Sequence, residues 1–300
     1  MRRPAASPRS ARHRGFTLIE IAVVIVVLSL LLAMIAGIAT AMLGQQRREA
    51  TRQRLSGAET ALALFVSQHQ RLPCPANGTL AGTDANAGVE QITLGTPNTC
   101  SVGGVAGSQQ HGVIPWRALG VSEQDVTDGW GNRLTYRVDA DFVTAPALNM
   151  TFCDPGGTAA ATALASPGGY CNSSCSSTTF PGSCTAPSNV TSNQGLEVRN
   201  LGGTPIMVPT AVPSTGAAYI VISHGENGAG AYNGVGVLQA ASGPDAGTEE
   251  AKNAANLALQ GYYVDDFPSY PAGAGHFDDF VLRPSILTVA TKAQLGPRAH

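Results

Sequence analysis

Arg14-Gly15-Phe16-Thr17-Leu18-Ile19-Glu20 runs directly into residues 21–43, twenty-three positions of mainly Val, Ile, Leu and Ala that carry no charge. As a helix, that run is about 34 Å long at 1.5 Å per residue, enough for a hydrocarbon core of ~30 Å. Residues 1–15 hold five Arg and no acidic residue. A basic cluster before a single span keeps that end in the cytoplasm and puts the rest of the chain outside. A cleaved secretory signal is the competing reading. It needs a shorter apolar core, about 7–15 residues, followed by small residues at a cleavage site. Here the run is longer, and the small residues of 33–41 lie inside it. Glu20 breaks the pattern. A carboxylate at the edge of lipid is costly without a partner, so it is a candidate functional residue.

The stretch from Arg14 to Glu20, with the long apolar helix behind it, resembles the processing and N-methylation site of type IV prepilins and type II secretion pseudopilins. The resemblance implies cleavage after Gly15 by a membrane prepilin peptidase and methylation of the new N-terminal amine on Phe16. It also implies that Glu20 stays in the membrane, where it pairs with the Phe16 amine of a neighbouring subunit and sets the axial register. The chemistry agrees with the spacing. Gly15 lets the backbone enter a protease cleft extended. Two opposite charges that neutralise each other in lipid cost less than either alone. The resemblance implies an α+β, type IV pilin-like fold: a long N-terminal helix packed on an antiparallel β-sheet head with large loops.

The pattern downstream suits that plan. Residues 45–54 are polar and charged. Leu55, Ala58, Leu62, Phe65, Val66, His69 and Leu72 then recur every three or four positions, which predicts an amphipathic helix half over 45–72 with His69 on its buried stripe or rim. Pro73 and Pro75 are expected to stop it. The chain thus divides into a leader (1–15), a long helix (16–72, membrane span about 21–43) and a Gly-rich head (73–300). In the head, residues 134–138 alternate as a half-buried strand should. Residues 196–198, 206–208 and 280–282 read as further strands, and 219–222 as a central one with 235–238 as its hairpin partner. Residues 251–259 read as a short helix, and 155–196, which has no charge, as a stapled loop. Three segments resemble pseudopilin landmarks: 71–75, 112–116 and, above all, the turn Asp128-Gly129-Trp130-Gly131-Asn132 before its aromatic strand. Two later ones, 222–228 and 277–280, resemble closing strand segments of the same proteins. The head exceeds a minimal major pseudopilin head, which suggests a minor subunit.

Composition closes off other classes. Gly 35 and Pro 19 make up 18 % of the 300 residues, and charged residues are 13 %, against averages of about 12 % and ~25 %. An apolar content of 43 % excludes a wholly disordered chain, and a net charge of −2 excludes a strongly basic nucleic-acid binder. Without residues 1–15 the charge is −7, because Lys+Arg falls from 18 to 13 against 20 Asp+Glu. Six cysteines, Cys74, Cys100, Cys153, Cys171, Cys175 and Cys184, lie on the exported side, where disulfides form. Fifteen pairings are open. Sequence proximity favours Cys74–Cys100 and Cys175–Cys184, leaving Cys153–Cys171. A zinc site would want closely spaced pairs, and only Cys171-x₃-Cys175 approaches that.

The remaining motifs carry less. Residues 225–230 resemble a phosphate loop but lack its Lys-Ser/Thr, so a tight turn is expected. Ser223 and His224, adjacent on a strand, point to opposite faces and make no triad. No cofactor is expected, although Asp265, Asp266, Asp278 and Asp279 offer oxygen ligands for calcium, and major pseudopilins have such a site in their closing loops. The sequence therefore predicts no enzyme. It predicts a minor pilin or pseudopilin of a type IV pilus or type II secretion pseudopilus, single-pass in the bacterial inner membrane with its head in the periplasm. The alternative is a membrane-anchored tip adhesin or substrate-binding module. Expected partners are prepilin peptidase, other pilin or pseudopilin subunits, the inner-membrane assembly platform and membrane lipid.

Overall fold

The computed structural model describes residues 17–95, 98–101, 109–154, 159–160, 171, 185–186, 193–240, 247–254, 261–271 and 273–298. The chain is α+β, with one long apolar N-terminal helix and a mainly antiparallel head in which two of the strand pairs run parallel. It separates into two compact units, Met1–Gln46 and Arg47–His300.

Helix α1 spans Leu18–His69, 52 residues, and runs unbroken through Gly37 and Gly44. Its first part has the composition of a membrane span, and its large apolar side chains are exposed all round, Leu18 at 88 % and Leu32 at 66 %. Polar groups in that part turn inward on the helix itself. The Ser29 hydroxyl donates to the Ile25 carbonyl at 2.6 Å and the Thr40 hydroxyl to the Gly37 carbonyl at 3.0 Å. From Thr51 onward the pattern changes, and Thr51, Leu55, Ala58, Leu62, Phe65 and Val66 are buried at spacings of three and four. The helix ends before the prolines. Gln70 takes φ 56°, a left-handed conformation that stops the ladder, and its N–H closes on the Val66 carbonyl at 2.7 Å. His69 is exposed, which corrects its assignment to the buried stripe. Its ring stacks on Phe65 at 4.1 Å, and its Nδ1 lies 3.1 Å from the Phe65 carbonyl.

The strands follow in order: β1 (Ile92–Thr93), β2 (Thr99–Cys100), β3 (Gln109–Val113), β4 (Thr135–Asp139), β5 (Ala159–Ala160), β6 (Thr185–Ala186), β7 (Val198–Arg199), β8 (Pro205–Met207), β9 (Tyr219–Ser223), β10 (Tyr263–Val264) and β11 (Phe280–Leu282). A short helix α2 (Ile286–Lys292) closes the head, capped by the Ser285 hydroxyl. The main sheet is antiparallel, in the order β11-β9-β4-β3. A smaller sheet has the order β10-β7-β8.

Strand β9 shows how the layers form. Tyr219 and Val221 join the core cluster that holds Leu55, Ala58, Leu62 and Val66 of the helix. Ile220 and Ile222, on the opposite face, join a second cluster with Val198, Met207 and Tyr263 of the smaller sheet. A period of two thus feeds two cores. Residues 219–222 are central, as the sequence suggests, but their neighbours are β4 and β11. Residues 235–238 form no strand and make only the isolated bridge Tyr232–Leu238. Strand β4 is likewise buried on both faces, not half-buried. Its polar side is covered by the second layer, and Arg137 sits fully buried with its guanidinium 5.7 Å from the Tyr263 ring centroid. Of the helix expected at 251–259, only the start lies among the described residues, and there Glu250–Asn253 is a 3₁₀ turn; residues 255–260 lie outside the described set.

Helix and sheet meet at the turn 128–132. Gly129 donates its N–H to the buried Thr51 hydroxyl at 2.9 Å, and Arg54 donates to the carbonyls of Thr127 and Asp128, both at 2.7 Å. A Cβ on Gly129 would stand 2.2 Å from the Arg47 carbonyl oxygen. Because that obstacle is backbone, Gly129→Ala must part the turn from the helix. We expect it to lower the stability of the purified chain by about 1–3 kcal/mol, the usual range for overpacking. Thermal unfolding against wild type checks this, and an unchanged midpoint would contradict the contact.

Candidate functional site

Two regions of the described residues carry unusual chemistry: the first turn of α1 and a buried polar layer in the head.

Gly15 and Phe16 lie outside the described residues. Glu20 lies in the first turn of α1, where Thr17 and Glu20 bond reciprocally. The Thr17 N–H and hydroxyl donate to Glu20 Oε2 at 2.9 and 3.0 Å, and the Glu20 N–H donates to the Thr17 hydroxyl at 3.3 Å. This is a capping box: Thr at N-cap, Glu at N3. The Thr-x-x-Glu signal stands in the sequence, yet the reading above passed over it. The arrangement satisfies donors that a helix start leaves open and sets a carboxylate at the positive end of the helix dipole. Both bonds fall on Oε2, so Oε1 has no hydrogen bond from the described residues.

In the head, Asp128 organises the Trp-Gly-Asn turn. Its Oδ1 accepts the N–H groups of Trp130 and Asn132, both at 2.9 Å, and its Oδ2 accepts the Ser223 hydroxyl at 2.8 Å. Burial pushes its pKa up against those donors. His224, next to Ser223, faces elsewhere: its Nε2 lies 2.8 Å from the Thr135 hydroxyl and its Nδ1 3.8 Å from Asp279 Oδ1. Both Ser223 and His224 are fully buried, so they make neither a nucleophile–base pair nor a surface site. Burial pushes His224 down to about 3 and Asp279 well above the usual carboxylate range. Both shifts favour neutral forms.

The glycine-rich turn 225–230 is filled by the chain itself. Asp278 Oδ2 accepts the N–H groups of Glu226 and Asn227 at 2.7 and 3.2 Å, and a Cβ at Gly225 (φ 57°) would stand 2.4 Å from the Asp278 carbonyl oxygen. The turn holds an internal carboxylate where a phosphate loop would hold a ligand.

The four aspartates proposed for calcium do not form one oxygen cage. Asp265 pairs with Arg283 at 2.5 Å, and Asp266 Oδ2 accepts the Leu201 N–H at 3.0 Å. Asp278 is taken up by the glycine turn, and Asp279 Oδ2 accepts the Asn253 amide at 2.7 Å. Among the described residues, the one group of three acidic or imidazole ligands within mutual reach is Glu250, His276 and Asp278. Glu250 and His276 escaped the sequence reading because no local motif links positions 26 apart in a glycine-rich loop region.

Of the six cysteines, Cys74 is bonded to Cys100 and Cys153 to Cys171, with Cα–Cα distances of 5.4 and 5.0 Å. Cys175 and Cys184 lie outside the described residues. The Cys74–Cys100 bridge pins the segment after α1, where Glu90 accepts from the Arg71 guanidinium at 2.6 Å and from the Cys74 N–H at 2.6 Å.

Asp139 is another buried carboxylate, and it is readable by titration. It accepts the N–H groups of Asp141 and Gly195, both at 2.9 Å, but burial, aided by the nearby Asp141 charge, pushes its pKa up to about 6. The folded chain therefore holds a proton that the unfolded chain releases near 3.8. This contribution to stability is complete below about pH 4 and is lost as the pH rises through about 6. We expect wild type to lose up to about 3 kcal/mol relative to Asp139→Asn between about pH 4 and pH 7. Denaturant unfolding of both proteins across that range checks the sign; a gain would refute it.

No curated protein and no solved structure matches the chain. Residues 10–36 match the prokaryotic N-terminal methylation motif. That stretch contains Gly15, Phe16, Thr17 and Glu20 and most of the apolar run, and it is the prepilin-type cleavage and methylation signal, which supports a type IV pilin- or pseudopilin-like processed subunit anchored through its single N-terminal helix.

Proposed function

We propose that the chain is a minor pilin or pseudopilin, a structural subunit of a type IV pilus or type II secretion pseudopilus. Prepilin peptidase cuts after Gly15, and the new Phe16 amine is methylated. The subunit then waits in the inner membrane, with its head in the periplasm, for the assembly platform. In the filament, Glu20 neutralises the Phe16 amine of a neighbouring subunit. The observation that carries this reading is the motif at 10–36 on a helix whose apolar half has no polar face. A bare helix of that kind needs lipid or other helices around it. The Glu20 geometry supports the pairing, because the capping bonds use Oε2 and leave Oε1 for a neighbour.

Mass spectrometry of the mature protein is expected to find a chain that begins at methylated Phe16; an N-terminus elsewhere removes the processing assignment. Two further substitutions separate charge from capping. Glu20→Gln keeps an N3 residue able to cap but loses the charge. Thr17→Ala loses the cap, at about 1 kcal/mol, and keeps the charge. Both variants are expected to insert and to be cleaved. Recovery in sheared filaments is expected to fall by about tenfold or more for Glu20→Gln, because an uncompensated cation in the filament core costs several kcal/mol. Thr17→Ala is expected to assemble nearly as wild type. Equal loss in both variants would make Glu20 a helix cap only.

A further inference from the structure

Glu250, His276 and Asp278 converge from two separate segments of the head, and their ligand atoms all lie within 4.8 Å of one another. All three are buried, with exposures of 0, 8 and 4 %. The polar atoms that face each other are unsatisfied. His276 Nε2 and Asp278 Oδ1 are buried without a hydrogen bond, 3.8 Å apart, too far to bond directly. Buried polar atoms left without partners are rare and call for an explanation, a bound ion among them. The rest of each side chain is already fixed. Asp278 Oδ2 accepts from Glu226 and Asn227. Glu250 Oε1 accepts the Asp278 N–H at 3.1 Å, and Oε2 accepts the Gly247 N–H at 2.9 Å and the Asn227 amide at 3.1 Å. Such outer bonds orient ligands and raise their worth to a metal.

We infer that Glu250, His276 and Asp278 form a structural site for a divalent transition ion of the zinc class. Ligands about 2.0–2.2 Å from a tetrahedral zinc stand roughly 3.4 Å apart. The His276–Asp278 pair at 3.8 Å is near that spacing, and the set closes by side-chain shifts of about an ångström. An imidazole with two carboxylates suits zinc and its neighbours. Calcium wants six to eight oxygens at about 2.3–2.6 Å, and here one ligand is nitrogen while three of the four carboxylate oxygens already accept N–H groups. Water supplies the fourth ligand. The ion ties the 247–254 segment to residues 276–278 and, through Asp278, to the turn at 225–228. This site is separate from Glu20 and does not depend on the assembly reading.

The test uses the full chain in detergent, stripped with chelator and then given zinc chloride. Wild type is expected to retain one more zinc per chain than His276→Gln, with affinity at that site at least tenfold weaker in His276→Gln and in Glu250→Gln. Replacement of the exposed histidine, His69→Gln, is expected to change nothing. Zinc is also expected to raise the unfolding temperature of the wild type, a readout that does not require any variant to fold. Millimolar calcium is expected to leave the zinc in place. The inference is overturned if zinc does not raise the wild-type unfolding temperature, if His276→Gln retains zinc as wild type does, or if calcium displaces it.

Discussion

One residue, Asp128, bonds to three parts of the head at once. Its two oxygens hold the Trp130 and Asn132 N–H groups and the Ser223 hydroxyl of β9, while its own carbonyl receives Arg54 from α1. Helix, turn and central strand are fixed to one residue. The hydrophobic clusters supply most of the driving force but do not set direction. Directional bonds between α1 and the turn that this carboxylate organises set where the helix lies along the sheet. Burial disfavours the charge, so the group is tolerable only with its acceptors filled, and partial loss of the turn would leave it unpaired.

The same logic runs through the rest of the head. The regular strands are short, and the loops between them are rich in glycine. Buried arginines knit those loops together. Arg133, fully buried, donates to Glu123 and to the carbonyls of Gly78, Leu80 and Gly234, with Trp116 against its guanidinium. Loops that bury backbone carbonyls must find donors for them, and one guanidinium offers five in a fixed plane. Arg71 and Glu90 serve the segment after α1 in the same way. A low content of charged residues is thus compatible with a polar interior: among the described residues, two arginines and six carboxyl side chains are buried.

What was legible in the sequence follows from how local each signal is. The charge-free run and the stripe of apolar residues at spacings of three and four are both readable over a few turns, so helix α1 and its two halves were visible. Strands β4, β9 and β11 were visible because β-branched and aromatic residues cluster there. Their surroundings were not. The alternation of β4 suggests an exposed polar face, yet the second sheet covers it and Arg137 points into that cover. Likewise 235–238 has strand-like composition, but β9 already has β4 and β11 as neighbours, so no edge is left for it. The Glu250–His276–Asp278 group was invisible for the same reason: side chains on separate loops leave no spacing to read. His69 misled because stripe periodicity does not say where the core stops, and here it stops at Val66 on the helix.

The first turn of α1 poses a different problem, since a carboxylate must enter lipid before its proposed partner arrives. The capping box offers a physical answer. With Oε2 held by the Thr17 N–H and hydroxyl, half of the carboxylate's acceptor capacity is met inside its own subunit. The open N–H groups of the helix start add favourable potential at the same place. A monomer of this kind carries a carboxylate that is partly solvated by its own helix and still has one oxygen to offer. Capping lowers the cost of the unpaired state without supplying a countercharge, so the proposed pairing with a neighbour's amine would retain a net gain. Were the carboxylate fully satisfied within the monomer, assembly would gain little from it; were it bare, the monomer would be driven to protonate it. The threonine three positions before Glu20 thus lowers the cost of the bare carboxylate by about the 1 kcal/mol a cap is worth, and it leaves in place the charge on which the proposed pairing depends.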